Sequence, residues 1–231
     1  MTGSLAALAL AMAAFVASHV VLSTLPIRSR LIAALGERGF QAGYSLLAVA
    51  LLVWLVMAYN AAPVVDVWWP PAGLRHLSLL LMPVACVLLV AGLTTTNPTV
   101  AGVDTARHIG RGPTGIFRIT RHPVMWAIGL WAIAHLLANG DAAGLILFSG
   151  MAVLALGGAL NSDHRRRAML GDAWASFQAQ TSFVPFQAIV AGRTPFRPGE
   201  IGWRRLAGGL ALFAALLFAH PWLFGVSPLP G

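Results

Sequence analysis

Six stretches of mainly apolar residues alternate along the chain with segments that carry most of its charged residues. A helix that crosses a bilayer needs roughly 20 predominantly apolar residues. Several runs are shorter, so we expect their helices to extend into the flanking segments. The pattern predicts an all-α fold, a polytopic integral membrane helical bundle with about six transmembrane helices. The runs cover residues 5–22, 44–59, 77–93, 124–137, 145–160 and 206–224.

The composition agrees with a chain that is mostly surrounded by lipid. Of 231 residues, 58% are hydrophobic and 10% are charged, against about 25% charged residues in a soluble domain. We therefore expect a single membrane domain over residues 1–231, with the lipid bilayer as its main partner. The single cysteine, Cys86, excludes an internal disulfide and a multi-cysteine metal site.

The basic residues are all arginine and they fall on alternate connections. The net charge of +8 does not indicate a nucleic-acid partner, because the chain offers no soluble basic face. Fourteen of the 15 arginines lie on the first, third and fifth connections, and only Arg75 lies on another. The positive-inside rule then predicts that both termini lie outside, in a multi-pass protein of the bacterial inner membrane.

The fifth connection, about residues 161–205, is long enough to hold an element of its own. We expect an interfacial helix around residues 165–180, with Trp174 and Phe177 anchored at the lipid headgroups.

Histidines at membrane depth are the candidate functional residues, since ionisable groups there are costly and usually functional. His19 lies inside the first run, toward its inner end, and His135 lies toward the outer end of the fourth. His122 precedes Pro123 at the start of the fourth helix, about 20 Å from His135 at 1.5 Å per residue, so the two cannot share one metal. The alternative for each is a buried histidine bonded to a neighbouring helix. His220, late in the sixth run, ranks below these.

Several blocks resemble one family of bacterial membrane proteins. The sequence Gly-Ile-Phe-Arg-Ile-Thr-Arg-His-Pro-Val-Met-Trp occupies 115–126, and Ala-His-Leu-Leu-Ala-Asn-Gly-Asp occupies 134–141. Further blocks are Asp-His-Arg-Arg-Arg at 163–167, Gly-Asp-Ala-Trp at 171–174 and Thr-Ser-Phe-Val-Pro-Phe at 181–186. Together they resemble the NnrU family, with a core over about residues 5–193.

That resemblance implies a function as well as a fold. Bacterial members are associated with denitrification and nitric oxide metabolism, and plant and cyanobacterial relatives are similar to zeta-carotene cis–trans isomerase, a haem b enzyme with histidine ligands. By position, the resemblance puts metal-binding histidines at His19 and His135 and a further family histidine at His122. It favours a redox or isomerase role on a hydrophobic small molecule. Asn139 is expected to help hold the His135 ring.

The inner arginines have two interpretations. Arg118, Arg121 and the arginines at 165–167 are expected near His122, where Arg121 would pair with an anion such as a haem propionate, a lipid phosphate or a cofactor carboxylate. The alternative is that they only orient the protein.

Two other functions stay open. The Arg-His-Pro block and the later charged segment also resemble isoprenylcysteine carboxyl methyltransferases, which implies S-adenosylmethionine at His122, Pro123, Asp163 and Arg165. This chain departs from that pattern after the proline, where Met125 and Trp126 follow. A non-catalytic membrane protein that supports nitric oxide metabolism is the third possibility.

The orientation is testable with reporter fusions. A fusion after Gly140 is expected to report the periplasm and a fusion after Arg167 the cytoplasm, because the arginine-bearing connections stay inside. Alkaline phosphatase and green fluorescent protein activities measure the two locations. A cytoplasmic signal at Gly140 would invert the orientation.

Overall fold

The computed structural model describes residues 3–95, 110 and 112–229, and its regular structure is helical. Arg107, His108 and Arg111 lie outside the described residues. Two short 3-10 turns cover Gly115–Arg118 and Pro198–Glu200. The α-helices are α1 (Leu5–Ser23), α2 (Leu25–Ala61), α3 (Ala72–Thr94), α4 (Pro123–Ala138), α5 (Ala142–Gln180), α6 (Gln187–Val190) and α7 (Trp203–Phe224).

Six of these helices correspond to the six apolar runs. Within the described chain, five are long and apolar enough to cross a membrane, and α4, with 16 residues, is a shorter apolar helix. The prediction of an all-α polytopic membrane bundle is confirmed. Large apolar side chains such as Leu46, Leu80 and Phe218 are more than 70% exposed within the chain, as expected for side chains that face lipid.

The helices pack in the order α2, α1, α5, α4, α3, α7. At one end of the bundle Gly3 lies against Ala61, and the backbone N–H groups of Val67 and Trp68 donate to the Gly140 carbonyl. At the opposite end Asn161 donates to Ser23, at 2.9 Å. Both described ends of the chain thus share one face, the terminal face, and the arginine-bearing connections share the other, the arginine face.

The connections on the arginine face are more helical than the apolar runs alone suggest. Helix α2 begins at Leu25, so the first connection is largely helical, with a kink at Gly36. Helix α5 continues for 39 residues through the predicted interfacial segment and kinks at Gly171, where φ is +51°. Side chains other than glycine rarely adopt such a φ, so this glycine permits the change of direction.

The predicted headgroup anchors are wrong. Trp174 and Phe177 are 0% and 2% exposed and their rings pack together, with centroids 5.4 Å apart. The guanidinium of Arg166 lies over Trp174 at 5.5 Å. Both residues follow the kink at Gly171, and Leu170 packs against them, which sequence spacing alone does not indicate.

Helices α1 and α5 run parallel and in register. A Cβ atom added at Gly150 would lie within 3 Å of the Met12 side chain, and further along the pair Asn161 meets Ser23. Each contact joins residues 138 positions apart, so His19 is level with Gly157. This register fixes the depth of the histidines relative to each other.

Helix α7 packs on α3 through a close approach at Gly209. A Cβ atom there would lie 2.5 Å from the Val87 Cα, and backbone cannot move aside as a side-chain end can. We expect Gly209→Ala to lower the free energy of unfolding by about 1–3 kcal/mol, the usual cost of overpacking. Thermal unfolding in detergent measures this. Gly157→Ala is the control, since nothing lies within 4 Å of its added Cβ. Equal stability of the two variants would contradict the close α3–α7 contact.

Candidate functional site

A buried ionic cluster joins the start of α4 to α5 at the arginine face. The Arg121 Nε donates to both oxygens of Asp163, at 3.0 and 2.8 Å, and the His122 Nε2 lies 2.7 Å from Oδ1. The three residues are only 9%, 1% and 7% exposed in the order Arg121, His122, Asp163. One carboxylate therefore neutralises a buried guanidinium and fixes the orientation of an imidazole.

The segment after α5 holds this cluster from the other side. The Arg121 backbone N–H donates to the Ser182 carbonyl at 3.0 Å. The Thr120 hydroxyl and the Trp126 indole N–H both donate to the Phe183 carbonyl, each at 2.8 Å. Most of the polar groups at the start of α4 form hydrogen bonds within the protein, which is expected where two segments are held together.

A second ion pair closes the same face. Arg118 donates to both oxygens of Glu200, at 2.8 and 3.2 Å, and the Gly115 backbone N–H donates to one of them. These hydrogen bonds, with Arg118 the larger cause, lower the pKa of Glu200 to about 2. The ionised carboxylate therefore stabilises the fold above its ordinary pKa, and this contribution is lost as the pH falls from about 4.5 toward 2.

The predicted anion-binding arginines are thus engaged with internal groups. Arg121 and Arg118 pair with carboxylates, and Arg165 donates to the Ser23 carbonyl at 3.1 Å. Of the positions matched to S-adenosylmethionine binding, the structure brings together His122, Pro123 and Asp163, while Arg165 is turned toward α1. An external anion at Arg121 would have to compete with Asp163.

His135 lies at the other end of α4, in a mainly apolar cavity. Its Nδ1 is 2.8 Å from the Trp131 carbonyl. A carbonyl only accepts, so Nδ1 carries the proton and the lone pair of the neutral ring is on Nε2. Its ring also packs on Phe148, with centroids 4.8 Å apart. The adjacent cavity is about 240 Å³ and is bounded by α3, α4, α7 and the segment after α7.

Asn139 lines the same cavity, but its side chain bonds to the backbone and not to the imidazole. Its side-chain amide donates to the His135 carbonyl at 2.8 Å and so caps the end of α4. The His135 ring is oriented by the Trp131 carbonyl instead. Asn139 therefore supports the helix end on which His135 lies, and among the described contacts it makes none to the imidazole.

The structure does not bring His19 and His135 together. The His19 Nδ1 donates to the Phe15 carbonyl at 2.7 Å and its ring meets Tyr44. His19 is level with Gly157, whereas His135 packs on Phe148, nine residues away along α5, or about 13 Å. Two imidazole nitrogens on one metal are about 4 Å apart, at about 2 Å per bond. Among the described ring contacts none joins the two histidines.

The histidine that the structure brings to His135 is His220. Their ring centroids are 6.5 Å apart and the planes differ by 23°. Sequence reasoning ranked His220 low because it precedes Pro221 near the end of the last apolar run. One feature of the sequence could have indicated that the two histidines lie close together. Each lies near the end of its apolar run, and both helices end at the terminal face.

Comparison with known proteins gives a family and two relatives. A family model described as NnrU protein matches residues 7–228. The 15-cis-zeta-carotene isomerase of Zea mays chloroplasts is 38% identical over 94 residues, which are 41% of this chain and 25% of the relative. That of Arabidopsis thaliana is 35% identical over 117 residues, 49% of this chain and 32% of the relative. The chain thus spans at most about a third of these relatives. No solved structure matches.

The ionic cluster makes a sharp prediction for stability. Asp163→Asn would leave the buried Arg121 without its carboxylate, and we expect a loss of about 3–5 kcal/mol in unfolding free energy. Glu37→Gln is the control: it removes a partner from the exposed pair with Arg28, where the expected loss is about 0–1 kcal/mol. Chemical unfolding in detergent measures both. Similar losses would show that the Asp163 cluster contributes no more than a surface pair.

Proposed function

The chain belongs to the NnrU family, and from that membership we propose that it is a haem b protein of the membrane with a cis–trans isomerase-like role on an elongated apolar polyene. The observation that carries the proposal is the match to two proteins named 15-cis-zeta-carotene isomerase, in which more than a third of the aligned residues are identical. Because the matched segments are a minor part of those proteins, activity and substrate come to this chain as proposals.

The chemistry of His135 fits a haem ligand. Its protonated Nδ1 is bound to a backbone carbonyl, which leaves the Nε2 lone pair available. Metal-bound histidines commonly donate the other ring N–H in this way, since it fixes the tautomer and orients the ring. The apolar surroundings would limit the access of water to a metal bound there.

Two cavities suit a long apolar molecule. The cavity at His135 is lined by α3 from Arg75 onward, and a second, separate cavity of about 310 Å³ with an apolar lining lies further along α3, as far as Leu88. These positions are 13 residues apart, or about 20 Å along the helix. Both cavities lie between α3 and α7, where large apolar side chains such as Phe186 and Leu210 line the wall.

The residues of this chain would position the substrate and the cofactor. Bound haem b would supply a redox-active iron beside the polyene. His135 would hold the iron in its cavity, and the apolar walls of the two cavities would align the hydrocarbon and exclude water. Isomerisation of a double bond needs no net transfer of atoms, so the proposed role requires no site for a co-substrate.

The remaining expectations stay predictions. A link to nitric oxide or denitrification is compatible with a haem and would appear as a spectral change when nitric oxide is added to the reduced protein. We propose the bacterial inner membrane as the location, with the arginine face inside.

The methyltransferase alternative is disfavoured because Asp163 and His122 already bond to each other. Binding of S-adenosylmethionine to a colourless protein would support that alternative.

The proposal is tested with full-length protein reconstituted with haem in liposomes that contain 15-cis-zeta-carotene. We expect a Soret band and conversion of the substrate, followed by chromatography. His135→Ala is expected to lose most bound haem and to lower the conversion at least about tenfold, a difference of about 1.4 kcal/mol in the barrier.

The matched control is His164→Ala, an exposed histidine on the arginine face. It should keep the haem and the conversion. A haem-loaded wild-type protein that leaves the polyene unchanged would contradict the isomerase role, and a wild-type protein that takes up no haem would contradict the cofactor.

A further inference from the structure

Phe186 has a backbone conformation that its side chain disfavours. Its φ is +66°, and among the residues that the structure describes it is the one non-glycine residue with a positive φ. A bulky side chain in this region is a strained exception, and such strain persists where the surroundings impose it, often at binding sites. The Phe186 N–H donates to the Ile119 carbonyl at 2.8 Å, and the Phe186 carbonyl accepts from the Val190 N–H at 2.9 Å. Hydrogen bonds on both sides therefore hold the strained residue in place.

This residue lies at one end of the second cavity, the one of about 310 Å³ between α3 and α7. Pro185 and Phe186 both line the cavity, whose lining is apolar. The hydrogen bond to Ile119, just before α4 begins, places Phe186 at the end of the cavity nearest the arginine face. A hydrocarbon end that carries no polar group is the ligand that such a cavity suits.

The second cavity and the His135 cavity lie in line along α3. On α3, Met82 lines the His135 cavity and Pro83 lines the second one. On α7, Phe213 and Leu210 divide between the two cavities in the same way. The two cavities are therefore separated by less than one helical turn. A methionine side chain is flexible, so a change of its rotamer would join them into one groove.

The depth of His135 along this groove follows from one hydrogen bond. The Ser78 hydroxyl donates to the Ala134 carbonyl at 2.6 Å, so His135 is level with this part of α3. Ser78 is ten residues from Leu88, which lines the second cavity near the arginine face, or about 15 Å along the helix.

The groove matches half of the proposed substrate in length. An extended chain advances about 1.2 Å per atom, since a backbone of three atoms per residue advances about 3.5 Å. In a 15-cis-carotene the bond that isomerises is about 15 chain carbons from the end, which is about 18 Å on the same scale. With the chain end against Phe186, that bond would lie in the His135 cavity, which α3 lines from Arg75 to Met82.

The segment after α7 bounds the groove at the terminal face. Helix α7 ends at Gly225, where φ is +73° and the chain turns back, and the Val226 carbonyl accepts from the His220 Nδ1 at 2.9 Å. Residues 226–229 then line the His135 cavity. A straight chain longer than the groove would meet this segment, whereas a chain bent at its central cis bond can leave sideways toward the lipid.

We propose that the two cavities form one site for half of an apolar polyene, and that Phe186 limits how far the chain enters and so determines which double bond lies beside His135. This rests on the proposed isomerase role and names the residue that determines its specificity. Phe186 acts as a positioning residue, since it touches the end of the chain and not the reacting bond. The site favours a central cis bond, and the straight product fits less well.

The first test measures binding to the purified full-length protein in liposomes, by quenching of tryptophan fluorescence. The wild type is expected to bind 15-cis-zeta-carotene several-fold more tightly than the all-trans isomer. Phe186→Gly should melt at or above the wild-type temperature, because glycine adopts a positive φ freely, yet it should bind the 13-cis isomer several-fold more tightly than the wild type does. Phe186→Asn tolerates the same φ and gives a second variant without the ring.

The second test measures which bond isomerises when the haem-loaded protein receives an equal mixture of the 15-cis and 13-cis isomers. The wild type is expected to convert the 15-cis isomer. Removal of the ring lets the chain enter deeper and brings a bond beyond the centre to His135, so Phe186→Gly should raise the 13-cis to 15-cis ratio of conversion at least about tenfold, as a change of pocket size does. Val190→Ala is the control, since Val190 is 86% exposed and lines neither cavity.

The outcomes separate this inference from the function on which it rests. Phe186 variants that fold, bind and convert with the wild-type preference would overturn the role of Phe186 while the isomerase role stands. Equal binding of the 15-cis and all-trans isomers by the wild type would overturn the half-length site. A wild type that binds the 15-cis isomer selectively but leaves it unchanged would overturn the isomerase role and leave the binding site. A wild type that binds neither isomer would overturn both.

Discussion

The carboxylate of Asp163 is the group on which the depth of α4 depends. It is shared by Arg121 and His122 at the start of that helix, and all three side chains are buried. In a low-dielectric setting a guanidinium is retained only with a partner, so α4 is held to α5 at this point. Since α4 has only 16 residues, or about 24 Å, the same contact determines how far His135 reaches toward the opposite face.

Much of the fold was predictable because lipid imposes simple rules on sequence. Apolar runs identified the six helices, and the arginines separated the two faces, since both features follow from the energy of transfer into a bilayer. The kinks at Gly36 and Gly171 were not predictable. A glycine allows a positive φ but does not require one, so most helical glycines give no kink. Trp174, just after the second kink, is buried against Phe177 and Leu170, and its place near a predicted membrane surface did not indicate this burial.

The candidate site was predictable only in part, because the sequence does not show which helices are neighbours. Hydropathy and motif resemblance both marked His135, and the structure places it in the last turn of α4, at the terminal face. A partner on another helix depends on which helices touch. The packing order α2, α1, α5, α4, α3, α7 places α1 and α7 on opposite sides of α4, and nothing in the local sequence of His19 or His220 records that order.

The turn at Gly225 has a consequence for how such sites evolve. The group that orients His220 is the main-chain oxygen of Val226, which every amino acid supplies. Substitution of the side chain at that position would therefore leave the orientation intact, and drift there would be nearly neutral. Selection would act instead on the spacing between the histidine and the turn. Comparison of related chains by residue identity would overlook this support, whereas comparison of the length of that segment would detect it.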